Sequence, residues 1–589
     1  MDSFGHFSST CLFSSKDQRQ ELVEAAYSAC AANRPGPEGR KSFGHGLRCK
    51  IFLIFVSKSL NTKTSTDMRR TLFIAVGLLM ILGACKNNGQ VAGIGPITTG
   101  DDCIVETGAG KIMGYNDAGI YTFKGVPYAK AARFMPPTDP DPWEGVKKTQ
   151  VYGPQARQGQ NMNWGGNPSD YDFGFQFKNE KSSEDCQMLN IWTPGLDGRK
   201  RPVFVWFHGG GYSSGSAIFL PAQEGTALAR KGDIVVVTVN HRLNILGYLD
   251  LTALGGKYAE SVNLGQQDLV KALEWVRDNI EAFGGDPGCV TIGGQSGGGG
   301  KTSTLMAMPA AKGLFHRAIV QSGSTLRQQE PAQSRALGLA VVEELGLKPG
   351  PDVDLDPFSY EELVAAGNRA SRRFGRGGFS PVVDGKYLVQ HPFDPVAAEC
   401  SAEVPMLIGS NLNEFCYTND VPLSMDQVRA SLLPRLGEEK FEAFLRDFET
   451  VYPGQAPKEL VNTDFRTRAN VIRQATAKHA LGGADAYVYL FAWKSAVNDG
   501  ALAACHGMEL PFMFNNVANQ REMTGGTAEA YRMADKVSSA WIAFIKTGNP
   551  NCKELPAWEP FNPDENPTMV LDNTPELKKN HDAVMLKYW

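Results

Sequence analysis

The stretch Val290-Thr291-Ile292-Gly293-Gly294-Gln295-Ser296-Gly297-Gly298-Gly299-Gly300-Lys301-Thr302 runs from an apolar segment, through a turn of small residues, into a segment with helical character. A serine stands at the join. At the tip of a sharp strand-to-helix turn, a serine adopts a strained backbone, and only small residues two places before and two places after leave room for it. Gly294 and Gly298 fill those places, so Ser296 is a candidate nucleophile. The stretch has a rival reading, because Gly300-Lys301-Thr302 ends like a phosphate-binding loop. That motif needs a glycine six residues before the lysine, and Gln295 stands there. With 63 glycines in the chain, neither match decides alone, and the surroundings carry the argument.

Those surroundings are a succession of short apolar runs separated by longer helical patterns, which predicts a large, mostly parallel α/β sheet flanked by helices. The expected core strands are Val203 to Phe207, Ile234 to Val239, Val290 to Ile292, Ala318 to Gln321, Met406 to Ile408 and Tyr487 to Phe491. Each is apolar on both faces, as a sheet covered on both sides requires. Gln267 to Phe283 reads as the helix that leads into the serine strand. Met533 to Ile545 reads as an amphipathic helix that ends at Gly548-Asn549-Pro550.

A serine hydroxyl needs a base, and the base needs a carboxylate to orient it. In strand-turn-helix nucleophile folds the chain order is serine, acid, histidine. Of nine histidines, that order leaves His479, His506 and His581. His479 falls within a helical run and His581 in a polar tail, whereas His506 follows the Tyr487 to Phe491 strand on a loop of small residues and is taken as the base. The acid should stand just past the carboxyl end of a strand. Glu414 does so after Met406 to Ile408; Asp384, before Gly385, is the runner-up and reads as a turn residue. Attack on a carbonyl also needs preorganised N–H donors. The loop His208-Gly209-Gly210-Gly211-Tyr212 after the Val203 strand supplies glycine amides that can point freely, and the amide of Gly297 adds a third hydrogen bond.

Composition narrows the partners. The 589-residue chain is 42% hydrophobic and 21% charged, enough to bury a large core, and its formal net charge of −4 with no basic stripe argues against nucleic acid. No His-Glu-x-x-His or Cys-x-x-Cys pattern occurs, so neither a metal nor a cofactor is expected. Residues 1–67 have no sustained periodicity and read as upstream sequence translated in error or as a disordered extension. From Met68 the chain reads Arg69-Arg70, an apolar run Thr71 to Ile81, and Leu82-Gly83-Ala84-Cys85. That is the layout of a bacterial lipoprotein signal, 68–84, with Cys85 as the lipidated residue; the run is well below the roughly 20 residues of a membrane span. A polar tether, 85–100, would then lead to a catalytic domain over 101–589. This predicts a lipid-anchored protein of the bacterial cell envelope with Met68 as its start.

Together, these motifs resemble the type-B carboxylesterase family, which includes cholinesterases and bacterial para-nitrobenzyl esterases. Its landmarks here are Phe123-Lys124-Gly125-Val126-Pro127-Tyr128-Ala129, Glu184-Asp185-Cys186, Leu189-Asn190-Ile191-Trp192, the triple-glycine loop and Val239-Asn240-His241-Arg242-Leu243. Phe283-Gly284-Gly285-Asp286-Pro287, the serine turn, Gly313-Leu314-Phe315-His316-Arg317-Ala318, His506-Gly507, Glu509-Leu510 and Thr547-Gly548-Asn549-Pro550 follow. The resemblance implies an α/β-hydrolase fold and a serine hydrolase that cleaves a small-molecule carboxylic ester through an acyl-enzyme. It places the family's triad on Ser296, Glu414 and His506, its oxyanion donors on Gly210, Gly211 and Gly297, and its buried structural ion pairs on Arg242 with Asp268 and Arg133 with Glu184. A catalytically inactive, cholinesterase-like binding module is the alternative.

Three departures bear on substrate and redox chemistry. Gln295 stands where most relatives have glutamate. The tryptophan that binds choline in cholinesterases has no match, since the aromatics between Asp172 and Asp185 are Phe173, Phe175 and Phe177. No cysteine lies between Cys103 and Cys186, so the family's disulfide at the latter is expected to be missing. Cys416, just past Glu414, and Cys505, just before His506, would form a disulfide if the acid and base loops meet; two buried thiols are the other outcome.

Overall fold

The computed structural model describes residues 95–159, 174–175, 181–374, 378–415 and 422–589. The signal segment, Cys85, Phe173, Phe177 and Cys416 lie outside the described residues, and with them the Cys416 to Cys505 pairing. A 12-stranded sheet is the frame of the described chain. In chain order its strands are β1 (Ile97–Thr98), β2 (Tyr115–Asp117), β3 (Ile120–Pro127), β4 (Met188–Thr193), β5 (Arg201–Phe207) and β6 (Val235–Val239). They continue with β7 (Gly285–Gln295), β8 (Arg317–Gln321), β9 (Met406–Asn411), β10 (Ala486–Phe491), β11 (Thr568–Leu571) and β12 (Glu576–Lys578). The spatial order is β1-β2-β3-β4-β6-β5-β7-β8-β9-β10-β11-β12. From β6 through β11 every neighbour is parallel, and the antiparallel pairs are confined to the two ends.

All six expected core strands are present. Their alternation explains why they are apolar throughout: in β5, Val203, Val205 and Phe207 enter the core on one face of the sheet, while Phe204 and Trp206 enter the core on the other. Each such buried side chain contributes roughly 1.5–3 kcal/mol relative to exposure. The boundaries differ most at β7, which begins at Gly285 rather than Val290. Gly285 pairs with Arg201 across an irregularity in the ladder, so Asp286 and Pro287, which look like turn residues, are carried on an extended strand. The helix before it, α1 (Leu264–Asn279), ends in a tight 3₁₀ turn, Ile280–Phe283. Beyond β7 come α2 (Gly297–Leu305), α3 (Phe465–Leu481) and α4 (Ala528–Thr547). The last of these is longer than Met533 to Ile545, because Thr527 caps its first turn by accepting from the Ala530 N–H at 3.2 Å.

The strand order reverses around β5, which lies between β6 and β7. In open α/β sheets, ligands collect at such a point, beyond the carboxyl ends of the strands. Phe207 pairs with Gly294, so the chain leaving β5 and the chain leaving β7 emerge side by side.

Candidate active site

Ser296 caps α2 with φ 58° and ψ −125°, a backbone conformation that L residues rarely adopt. Its N–H donates to the Gln321 carbonyl of β8 at 2.8 Å, and its own carbonyl accepts from the Gly300 N–H at 3.0 Å. The turn can close because Gly298 lies against β5: a Cβ there would stand 2.0 Å from the Phe207 oxygen. One at Gly294 would stand 2.4 Å from the Gly298 carbonyl carbon. The pattern of small residues is therefore a steric requirement of this turn, and the strain it stores is of order 1–3 kcal/mol.

The glycine loop comes against that turn. Gly210 and Gly211 have φ of 87° and 62°, values that favour glycine. A Cβ on Gly209 would lie 3.4 Å from the Ser296 Cβ, and one on Gly297 would lie 2.1 Å from the Gly211 oxygen. Hence Gly211 and Gly297, two of the three expected oxyanion donors, belong to backbones in contact beside Ser296, and Gly210 lies between Gly209 and Gly211 in the same loop.

Glu414 and His506 meet at the carboxyl ends of β9 and β10, both buried. The His506 Nδ1–H donates to Glu414 Oε2 at 2.5 Å, and the His506 N–H donates to the Glu414 carbonyl at 2.9 Å. Glu414 Oε1 accepts from the Asn411 N–H at 2.8 Å, so the carboxylate is held by its own strand end. The Phe415 ring stacks on His506, 4.9 Å between centroids at 28°. Burial disfavours the His506 cation, but the Glu414 charge and hydrogen bond outweigh it and hold the imidazole pKa above its usual 6.5.

A polar network lies behind this pair. Asn411 Nδ2 donates to Glu509 Oε2 at 2.6 Å, Gln321 Nε2 donates to Glu509 Oε1 at 3.1 Å, and Trp541 Nε1 donates to Gln321 Oε1 at 3.0 Å. Gln321 thus joins the two halves of the site, with its carbonyl on Ser296 and its side chain on the segment after His506. Burial first, and the Glu414 charge second, push the Glu509 carboxyl up to about 7. In the sequence, the signal for Glu509 is its place three residues after the candidate base. Gln295 is buried beside this segment, and its Nε2 has no hydrogen-bond partner among the described residues.

The other candidates are occupied elsewhere. Asp384 Oδ1 accepts from the N–H groups of Tyr387 at 3.1 Å and Leu388 at 2.8 Å, which is the work of a turn residue. His479 is exposed on α3. The Arg242 to Asp268 pair is buried and bidentate, at 2.9 and 2.7 Å, and Arg133 pairs with Glu184 in a half-buried setting. Lys301, the core of the phosphate-loop reading, is fully buried and donates from Nζ to the His208 carbonyl at 2.9 Å, so its amine faces protein rather than an anion. Cys103 and Cys186 are buried thiols not joined to each other. Among the described residues, no group of three or more His, Cys, Asp or Glu side chains is arranged to hold a metal ion.

The carboxylesterase family model matches residues 101–589. The para-nitrobenzyl esterase of Bacillus subtilis is 33% identical over 500 residues, spanning 81% of this chain and 97% of that protein. The phenmedipham hydrolase of Pseudarthrobacter oxydans is 33% identical over 496 residues, spanning 80% and 94%. Among solved structures, an esterase from Clostridium hathewayi, described as able to hydrolyze aliphatic aromatic polyesters, matches with a TM-score of 0.75 at 36% identity, covering 84% of this chain and 99% of that one. A strand-turn-helix serine at the switch point of an α/β-hydrolase sheet, with relatives that are esterases along nearly their whole length, leaves one assignment: the chain belongs to the carboxylesterase family and hydrolyses carboxylic esters.

Proposed function

We propose that Ser296 is the nucleophile of this ester hydrolase, His506 its general base and Glu414 the carboxylate that orients and supports the imidazolium. The His506 imidazole takes the Ser296 proton as Oγ bonds to the ester carbonyl carbon. The N–H groups of Gly210, Gly211 and Gly297 stabilise the oxyanion of the tetrahedral intermediate. His506 then gives that proton to the departing alkoxide, which leaves as an alcohol, and the acyl group remains on Ser296. Water repeats the sequence: its proton goes to His506, its oxygen to the acyl carbon, and the acid departs as the proton returns to Ser296. The observation that carries this reading is the strained turn of Ser296 packed against the glycine loop. Turnover of p-nitrophenyl esters by the wild type and by Ser296→Ala tests it; a variant that keeps wild-type turnover ends it.

The alcohol or acyl part of a preferred substrate carries an aromatic ring. Support comes from Phe415, which is 47% exposed while stacked on His506, and from Phe175, whose ring lies 3.5 Å from the Cβ position of Gly507. A relative named for a para-nitrobenzyl ester, and a structural relative described as able to hydrolyze aliphatic aromatic polyesters, are consistent with this reading. Benzyl and phenyl esters should exceed linear alkyl esters of equal size in kcat/KM, and the reverse order would refute it.

Cys85 is the proposed lipid attachment site of an envelope protein, on the strength of Arg69-Arg70, the apolar run and Leu82-Gly83-Ala84-Cys85. Two or more acyl chains would anchor it stably. Cys85→Ser should release the protein from bacterial membranes; membrane association unchanged by that substitution contradicts the assignment.

A further inference from the structure

Lys301 has no task in the chemistry above, yet it is a lysine with no exposed surface, in the second turn of the helix that begins at the candidate nucleophile. Burying an amine disfavours its charge, and here burial alone lowers its pKa to about 7. It forms no ion pair among the described residues. The hydrogen bond from its Nζ to the His208 carbonyl, at 2.9 Å, reaches the residue just before Gly209-Gly210-Gly211.

The two ends of the glycine loop are fastened differently. Beyond the glycines, the Tyr212 carbonyl accepts from the Asn244 N–H at 2.7 Å, and the Gly215 N–H donates to Gln158 Oε1 at 2.7 Å. Gln328 Nε2 donates both to Tyr212 Oη at 3.0 Å and to Thr304 Oγ1 of α2 at 2.6 Å. At the near end, His208 turns its Nδ1 onto the Gly209 carbonyl at 2.8 Å, and its ring stacks on His241 at 5.1 Å. The helix backbone packs on this end at Gly298, where a Cβ would stand 3.0 Å from the His208 oxygen, and the side-chain hydrogen bond from α2 to His208 is that of Lys301.

We propose that Lys301 is the positioning residue of the oxyanion hole: by donating to the His208 carbonyl it ties the Gly209–Gly211 loop to the helix that carries Ser296 and Gly297. The donors of Gly210 and Gly211 come from the loop and that of Gly297 from the helix. They act together only if loop and helix are held in register, and a misplacement of about 1 Å can cost on the order of a hundredfold in rate. The inference rests on the triad and oxyanion assignments above.

The test compares the full-length wild type, Lys301→Met, Lys301→Gln and Ser296→Ala. Methionine is unbranched like lysine, one atom shorter and without a donor; glutamine, of the same reach as methionine, keeps an amide donor. For Lys301→Met, kcat on a p-nitrophenyl ester should fall about 30-fold with KM within about twofold. The inhibition constant of an aryl trifluoromethyl ketone, which forms an oxyanion adduct with a reactive serine, should rise by the factor lost in kcat/KM. Lys301→Gln should lose about fivefold in both. A general packing defect would lower the melting temperature without this parallel, so thermal unfolding is read alongside. If Lys301→Met does not fold, the glutamine variant decides by the same two readouts. Either variant, folded and within twofold of wild type in kcat and ketone affinity, overturns the role of Lys301 while Ser296→Ala remains inactive; full activity of Ser296→Ala would instead overturn the site reading on which it rests.

Discussion

Glu414 and His506 are joined twice, by the carboxylate on Nδ1 at 2.5 Å and by the backbone N–H of the histidine on the carbonyl of the glutamate at 2.9 Å. The second bond fixes the loops, so the first need not be remade in each turnover. Residues 92 positions apart in the chain are thereby registered by main chain as well as side chain.

Glu414→Gln should keep the loop contact but lose the charge, and kcat should fall by about 10²–10⁴. The pH profile gives a second sign. His506 must be neutral to accept a proton, and its pKa lies above 6.5 because the Glu414 charge and bond outweigh burial. Wild-type kcat/KM should therefore rise with pH through a midpoint above 6.5, and in Glu414→Gln that midpoint should move to lower pH. A kcat/KM profile from pH 5 to 9 measures both.

Glu509 adds a second carboxyl to the field around His506, raised to about 7. The Glu509 charge raises the His506 pKa and the His506 charge lowers that of Glu509, so removing either shifts the other. Glu509→Gln retains one oxygen for Gln321 and removes the charge, so the acid limb should shift downward by less than in Glu414→Gln, with about a tenfold loss of kcat. The same pH series checks it.

Lys301 also sets a stability expectation. Its folded pKa is about 7 against about 10.4 when exposed, so between these values the unfolded chain binds the extra proton. Stability from this group should rise with pH across that window, by about 1.4 kcal/mol per unit. Denaturant unfolding of wild type and Lys301→Met at pH 7, 8 and 9 should show a steeper rise in the wild type.

The tight turn makes a steric expectation. Gly298→Ala would place a methyl 2.0 Å from the Phe207 oxygen, whereas a Cβ at Gly350 meets nothing within 4 Å. Gly298→Ala should lose roughly 3 kcal/mol of stability and most activity, with Gly350→Ala close to wild type in both; thermal unfolding and ester turnover measure the contrast.

The central strands could be read from the chain because they are buried on both faces and need no partner to declare themselves. Strands of the antiparallel end such as β3 and β4 are apolar only in part or sit in landmark motifs, and their antiparallel pairing is set by tertiary contact. Ser296 and the glycine loop were legible because their steric demands are local. His506 and Glu414 were reached by chain order and by position after strands. Glu509 and Lys301 were not, because an exposed and a buried charge look alike in sequence; what distinguishes them is the Asn411 and Gln321 amides and the His208 carbonyl, all distant in the chain.

The most direct test of the account is peptide mapping by mass spectrometry after reaction with a fluorophosphonate. A single phosphonyl adduct on Ser296, formed at least a hundredfold more slowly in His506→Ala and absent in Ser296→Ala, is the expected result. An adduct on another residue, or ester hydrolysis that persists at the wild-type rate in Ser296→Ala, would contradict it.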